Sequence, residues 1–286
     1  MRFNDSSDMS SPFVSSPVEK TSIFSWLRVM AQKTDSNRFS SPSSGSVPIV
    51  IGHRGAAGHA PENTLASLLK AQELGVDWVE FDVKLSGDDV PVLFHDETLD
   101  RNTDGHGPIA DQDLRALQKL DAGAWFDTAY TGTPIPTLEE GLVVLAQCGM
   151  GANVEIKPSK GREAETGMIV GKALAQTWPT SLPLPLVSSF SAAALKVCAA
   201  VAPNLARALL VSNVPKDWRA QLDASQTDTL HCLSSGLRKR KAKEILDAGF
   251  TLRCFTVNQP KRARQLLDWG VHGIISDYPD RILKIV

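Results

Sequence analysis

Two apolar segments of this chain carry ionisable groups two residues apart: Glu80 and Asp82 in WVEFDVKL, Glu155 and Lys157 in ANVEIKP. Period-2 alternation puts the members of each pair on one face of a strand. An unpaired buried charge costs on the order of several kcal/mol, so three carboxylates gathered at one strand end demand cations. With no cysteine beside them, Glu80, Asp82 and Glu155 suit a hard, oxygen-preferring divalent ion, Mg²⁺ or Ca²⁺, better than zinc. The alternatives are a salt-bridge network with Arg54 and Lys157, or charged faces turned to solvent. Another segment, GHRGAAGHAPENT (52–64), offers His53 and Arg54 where an apolar run ends, and Gly52, Gly55 and Gly58 permit tight turns or close ligand approach. VPVLFHD brings His95. Two imidazoles supply an acid and a base near neutral pH, while a divalent ion with Arg54 and Lys157 can stabilise phosphoryl charge. Together these groups are equipment for cleaving a phosphodiester. Three carboxylates and two basic side chains sum to −1, so a divalent ion leaves the site at +1, which suits a phosphodiester monoanion.

The elements that must position them are strand-like runs at 48–55, 78–85, 152–158, 184–190, 206–212, 230–235, 252–258 and 272–277. Helix-like segments with 3.6-residue periodicity lie between most of them, as at 64–75, 137–149 and 260–270. The late strands start at 184, 206, 230, 252 and 272, an even pitch that favours an α/β TIM (β/α)₈ barrel over an open doubly wound sheet. Active sites of such barrels lie at the C-terminal ends of the strands, where His53 and Arg54 fall. The gap between 78 and 152 breaks the rhythm, so a small cap subdomain (insertion about 97–136) is expected after the second strand. It follows a hairpin around Ser86–Asp89, whose centring between Gly87 and Asp88 places His95 opposite Glu80.

The chain has 286 residues, with 30 Lys+Arg against 32 Asp+Glu, so a net charge of −2 gives no electrostatic reason to bind nucleic acid. Residues 1–47 are expected to be a Ser-rich, largely disordered tail, with 14 serines by position 46, and 48–286 a single barrel domain. Within the tail, 22–33 places Phe24, Trp26, Leu27 and Met30 near one helical face, read as a short helix packing on its own domain or a translation-start artefact ahead of a membrane-touching or partner-docking helix. Cys148, Cys198, Cys232 and Cys254 show no metal-ligand spacing and are read as buried, reduced thiols. No run reaches the ~18 apolar residues needed to span a bilayer, and the N-terminus lacks the pattern of a secretory signal. The expectation is a cytoplasmic protein without stable membrane insertion.

In their order, GHRGAAGHAPENT, ELGVDWVEFDVKLSGDDVPVLFHDETLDRNTDG, IPTLEEGL, NVEIKP, FTVN and IISDYP resemble the motifs of the glycerophosphodiester phosphodiesterase family, bacterial cytoplasmic type, over about 48–286. The resemblance implies a TIM barrel that hydrolyses glycerophosphodiesters to sn-glycerol 3-phosphate and an alcohol with one divalent cation. It implies His53 and His95 as the acid/base pair, Glu80, Asp82 and Glu155 as metal ligands, and Arg54 and Lys157 as phosphate contacts. Phe255 stands where relatives often carry Trp, which keeps an aromatic wall for substrate and loses an indole N–H. Glu62 is read as orienting Arg54 or reaching a substrate hydroxyl, or as a plain helix-start carboxylate. Which histidine is the base stays open, as does direct water attack against a cyclic phosphate intermediate. His59, His106, His231 and His272 are read as structural or surface groups. A lysophospholipase D-like enzyme with an apolar entrance, for which Trp125, Phe126 and Tyr130 are candidates, is the enzymatic alternative, and a non-catalytic binding barrel the other.

Overall fold

A computed structural model describes residues 47–286, so the helix expected over 22–33 and nearly all of the Ser-rich segment lie outside the described residues. Val47, assigned to the tail from sequence, packs partly buried against the barrel interior.

The apolar runs form β1 (Val50–Gly52), β2 (Trp78–Leu85), β3 (Pro91–Leu93), β4 (Gly151–Ile156), β5 (Leu186–Ser189), β6 (Ala206–Val211), β7 (Thr229–Leu233), β8 (Thr251–Phe255) and β9 (Gly273–Ser276). All but β3 pair in parallel, and β1 joins both β2 and β9, which closes an eight-stranded barrel as the sequence rhythm predicts. Helices follow the strands, among them Leu65–Glu73, Leu138–Cys148, Glu163–Thr177 and Pro260–Asp268. Their starts are legible in local chemistry: Thr64 caps the first, Thr137 and Glu140 form a capping box on the second, and Pro260 begins the last. The main core lies between the outer faces of the strands and these helices.

Ladder partners followed once round the ring from Glu80, through Asn153, Leu186 and Ala206, arrive at Gln72, eight residues early. This is the stagger of a TIM barrel, and it stacks the inward side chains in layers of four from alternate strands. The floor layer is Trp78, Leu186, Thr229 and Gly273, and above it come Ile51, Asn153, Ala208 and Arg253. Next are Glu80, Ser188, His231 and Ile275. His53, Glu155, Leu210 and Phe255 follow, and Asp82 lies in the layer at the mouth.

The hairpin is present, but its register is one residue from the expected one. Val83 pairs Leu93, Lys84 pairs Val92 and Leu85 pairs Pro91, so the turn centres on Asp88. Extrapolated, His95 falls opposite Phe81 rather than Glu80. The odd turn arises because Asp89 takes a left-handed conformation (φ 65°) and the Ser86 hydroxyl accepts the Val90 N–H. From β3 onward, the chain to Ile135 gathers Val92, Phe94, Leu99, Ile109, Leu117, Ala122 and Ile135 into a small apolar cluster of its own. Buried Lys84 ties this segment to the barrel through Glu97 (2.7 Å).

Candidate active site

Asp82 and Glu155 are ladder neighbours on β2 and β4, and Glu80 lies two residues before Asp82 on the same face. All three are buried, and one oxygen from each lies within 4.8 Å of the others. Glu80 Oε2 accepts the backbone N–H of Arg54 at 2.9 Å, while its Oε1 is buried without a hydrogen-bond partner. An orphaned carboxylate oxygen among hard oxygen donors fits a divalent cation.

Burial pushes the Glu80 carboxyl well above its ordinary range, and Asp82 and Glu155 push the same way. Burial, reinforced by Asp82, lifts Glu155 to about 7 against the pull of Lys157. Burial would raise Asp82 as well, yet Lys157, Arg54 and His95 outweigh it and hold that carboxyl well below the usual range. Without a metal, the negative charge of the cluster is thus favoured on Asp82 over Glu80 and Glu155.

His53 leaves β1 with Nδ1 at 2.5 Å from Asp277 Oδ1, which directs Nε2 toward Glu80 Oε2, 3.9 Å away. A carboxylate only accepts, so Nδ1 carries the proton and Nε2 is free for chemistry. Asp277 is held in turn by the Asn258 amide at 2.6 Å. His95 repeats the arrangement, with Nδ1 bonded to Asp96 and Asp96 bonded to Arg101. Burial, aided by Arg54 and Lys157 and opposed by Asp82, lowers the His95 imidazole below its ordinary value, which favours the neutral form that a base needs.

The loop between β1 and the helix Leu65–Glu73 supplies the rest. Arg54 sits in the left-handed region (φ 48°), with its guanidinium 2.6 Å from Glu62 and 3.3 Å from Asp82. Asn63 is also left-handed (φ 55°), and its amide donates to Asp82 Oδ2 at 2.9 Å. Glu62 lies between Arg54 and Arg101 and accepts hydrogen bonds from both guanidinium groups. Lys157, just past β4, lies 3.0 Å from Glu155 and 3.3 Å from Asp82. Beside it opens a cleft of about 300 Å³ lined by Glu155, Lys157, Glu163 and Phe190. Phe255 packs edge-on against Phe190, a residue of that lining, at 5.9 Å.

The structure thus brings His53, Arg54, Glu62, Glu80, Asp82, His95, Glu155 and Lys157 together at one mouth. Asp277, Asn258, Asp96, Arg101 and Asn63 went unassigned, although four lie inside the quoted motifs beside a chosen residue or a strand end, which is the signal that could have found them. Of the remaining histidines, His59 bonds Asp280 and His106 is exposed, whereas His231 lies fully buried in the barrel interior. Cys148 is half-exposed, unlike the other three thiols. The aromatics proposed as an entrance, Trp125, Phe126 and Tyr130, stack on one another in the inserted segment.

Residues 53–281 match the Glycerophosphoryl diester phosphodiesterase family. The chain is 32% identical over 263 residues to a Bacillus subtilis glycerophosphodiester phosphodiesterase, covering 83% of this chain and 86% of that one. It is 30% identical to the Caldanaerobacter subterraneus glycerophosphodiester phosphodiesterase, over 83% of this chain and 97% of the relative. An Oleispira antarctica phosphodiesterase, solved with its product sn-glycerol-3-phosphate, superposes with a TM-score of 0.81 at 43% identity, over 84% of this chain and 96% of that one. With the barrel, the paired histidines and the buried carboxylates on one mouth, the chain belongs to the glycerophosphoryl diester phosphodiesterase family.

Proposed function

We propose that this chain hydrolyses glycerophosphodiesters to sn-glycerol 3-phosphate and an alcohol, with His95 as general base and His53 as general acid. One observation carries the assignment: two histidines, each with Nδ1 fixed by a carboxylate, present their free Nε2 atoms beside three buried carboxylates and two cations. Glu80, Asp82 and Glu155 would hold one divalent cation, Mg²⁺ or Ca²⁺, which when bound supplies positive charge to a phosphate oxygen. Arg54 and Lys157 bind the remaining phosphate oxygens, and in doing so trade contacts with Asp82 and Glu155. Neutral His95 takes the proton of the attacking hydroxyl, and His53, starting as the imidazolium, gives its Nε2 proton to the departing alkoxide while Asp277 keeps the Nδ1 proton. Phe255 and Phe190 form the apolar side of the substrate cleft.

Phe190 and Leu233 are exposed at the mouth, which keeps a lysophospholipid as a second substrate class. A cytoplasmic location is supported by the four free cysteines. Among the described residues no helix is long and apolar enough to cross a membrane. The test is product analysis by ³¹P NMR on glycerophosphocholine, glycerophosphoethanolamine and a lysophospholipid, before and after chelation and with Mg²⁺ or Ca²⁺ restored. A transient cyclic phosphate signal would mark attack by the glycerol hydroxyl, and its absence direct attack by water. Turnover that survives exhaustive chelation would remove the cation from the mechanism.

A further inference from the structure

The interior of a TIM barrel is normally filled by branched apolar side chains. Two layers here are not. Directly beneath Glu155 and His53, the layer of Glu80 also holds Ser188 and His231, and the next one down holds Asn153 and Arg253. Ser188 and His231 are fully buried, Asn153 is 1% exposed and Arg253 is 8% exposed. Ten buried side-chain N or O atoms lack a hydrogen-bond partner among the described residues, and six belong to these four: both amide atoms of Asn153, Ser188 Oγ, both ring nitrogens of His231, and Arg253 Nε. His231 and Arg253 are ladder neighbours on β7 and β8, Ser188 is the ladder neighbour of Glu155, and Asn153 that of Glu80. Groups this deeply buried are satisfied in folded proteins, and no protein atom satisfies these.

We propose that these two layers form a hydrated polar plug, in which bound water joins Asn153, Ser188, His231 and Arg253 into one hydrogen-bonded network that holds the Glu80 and Glu155 carboxylates from below. The donor set selects the occupant. Arg253 offers only donors, whereas Asn153, Ser188 and neutral His231 each offer a donor and an acceptor. An anion would meet Glu80 in the same layer, and a metal cation would meet Arg253; water accepts from one and donates to the other. Small Ala208 in the Asn153 layer leaves space that a branched residue would fill. The apolar floor of Trp78 and Leu186 closes the plug below. His231 and Asn153 are then positioning residues of the carboxylate cluster, acting through water as outer partners orient metal-binding groups. The plug stands on barrel geometry, whatever headgroup the enzyme takes.

The test has two arms. A high-resolution crystal structure of the wild-type protein should show ordered water bonded to His231 and Asn153; a dry interior, or an anion there, overturns the proposal. By calorimetry, H231L and N153L should each bind Mg²⁺ or Ca²⁺ at least about 10-fold more weakly than wild type, while H231Q, which keeps a donor and an acceptor, retains most of the affinity. A purely structural role would shift the melting temperature and leave cation affinity unchanged, and that result also overturns it. Should the Leu variants fail to fold, the wild-type crystal and H231Q still decide.

Discussion

A histidine whose Nδ1 is bonded to a carboxylate exchanges protons through Nε2 alone, so the two dyads fix which ring atoms face the substrate. They differ in what stands behind the carboxylate. Asp96 is neutralised by Arg101 and held at about 2, burial notwithstanding, whereas Asp277 has the uncharged Asn258 amide behind it. Asp277 is therefore the better partner for the imidazolium from which a general acid at His53 must start. H53A and H95A should each lower kcat on glycerophosphocholine by about 10² or more. On a diester with a nitrophenyl leaving group, which departs without a proton, H53A should recover most of its rate and H95A should not. Recovery by H95A alone would exchange the two roles. D277N should cost a further test of the same kind: it keeps the hydrogen bond but favours the wrong tautomer, so kcat falls about 10²-fold or more with unchanged circular dichroism. Near-wild-type turnover would make Asp277 merely structural.

At the scale of elements, the loop from β1 to the first helix does most of the positioning, and it does so through unusual backbone. Arg54 and Asn63 both sit at positive φ, and both touch the carboxylate cluster. Strain at two non-glycine residues in one loop is retained where the surroundings over-determine it. Gly55 makes the turn possible: it has φ 87°, and a Cβ there would lie 2.6 Å from the Ser67 backbone, at the start of the helix. G55A should destabilise the fold by about 2–4 kcal/mol in urea denaturation and weaken activity with it; an unchanged midpoint would show the loop to be pliable. His53 was legible only in combination, because a His-Arg-Gly run alone is weak and gained weight from the carboxylates and His95 expected at the same mouth. The barrel was legible because strand pitch is a local property. The hairpin register was not, since it turned on the conformation of Asp89, and a one-residue change in the turn moves His95 from opposite Glu80 to opposite Phe81. Asp277, Asn258 and Arg101 escaped for another reason: they act from the chain's far end or from the insertion, and only barrel closure brings β9 against β1. The polar interior at Ser188 and His231 escaped too, because single polar residues in apolar strands have no periodic signature.

At the scale of the whole molecule, a chain of net charge −2 concentrates its electrostatic work in one buried cluster, and this makes stability depend on pH and on cation together. Glu80 and Glu155 have carboxyls raised in the folded protein, Glu155 to about 7, with burial as the leading cause. A group raised on folding contributes stability that is complete below its unfolded pKa, near 4.3 for Glu, and is lost as pH rises through the folded value. Asp82 is depressed instead, so its contribution is present above the unfolded Asp value and is lost only in stronger acid, outside this window. The cation-free protein should therefore lose thermal stability as pH climbs from about 5 to about 8, as Glu155 ionises in its buried site, with the raised Glu80 carboxyl contributing in the same direction. Mg²⁺ or Ca²⁺ replaces those protons, so its stabilising effect should grow over the same interval, and binding near pH 6 should release protons measurable by calorimetry in buffers of different ionisation enthalpy. Replacing Glu155 by Gln removes the group nearest neutrality: E155Q should flatten the cation-free melting profile between pH 6 and 8 and abolish most of the cation's effect. A wild-type melting temperature that holds constant across that range, with or without the ion, would mean that the two glutamates are ionised throughout and that Arg54 and Lys157 alone balance them.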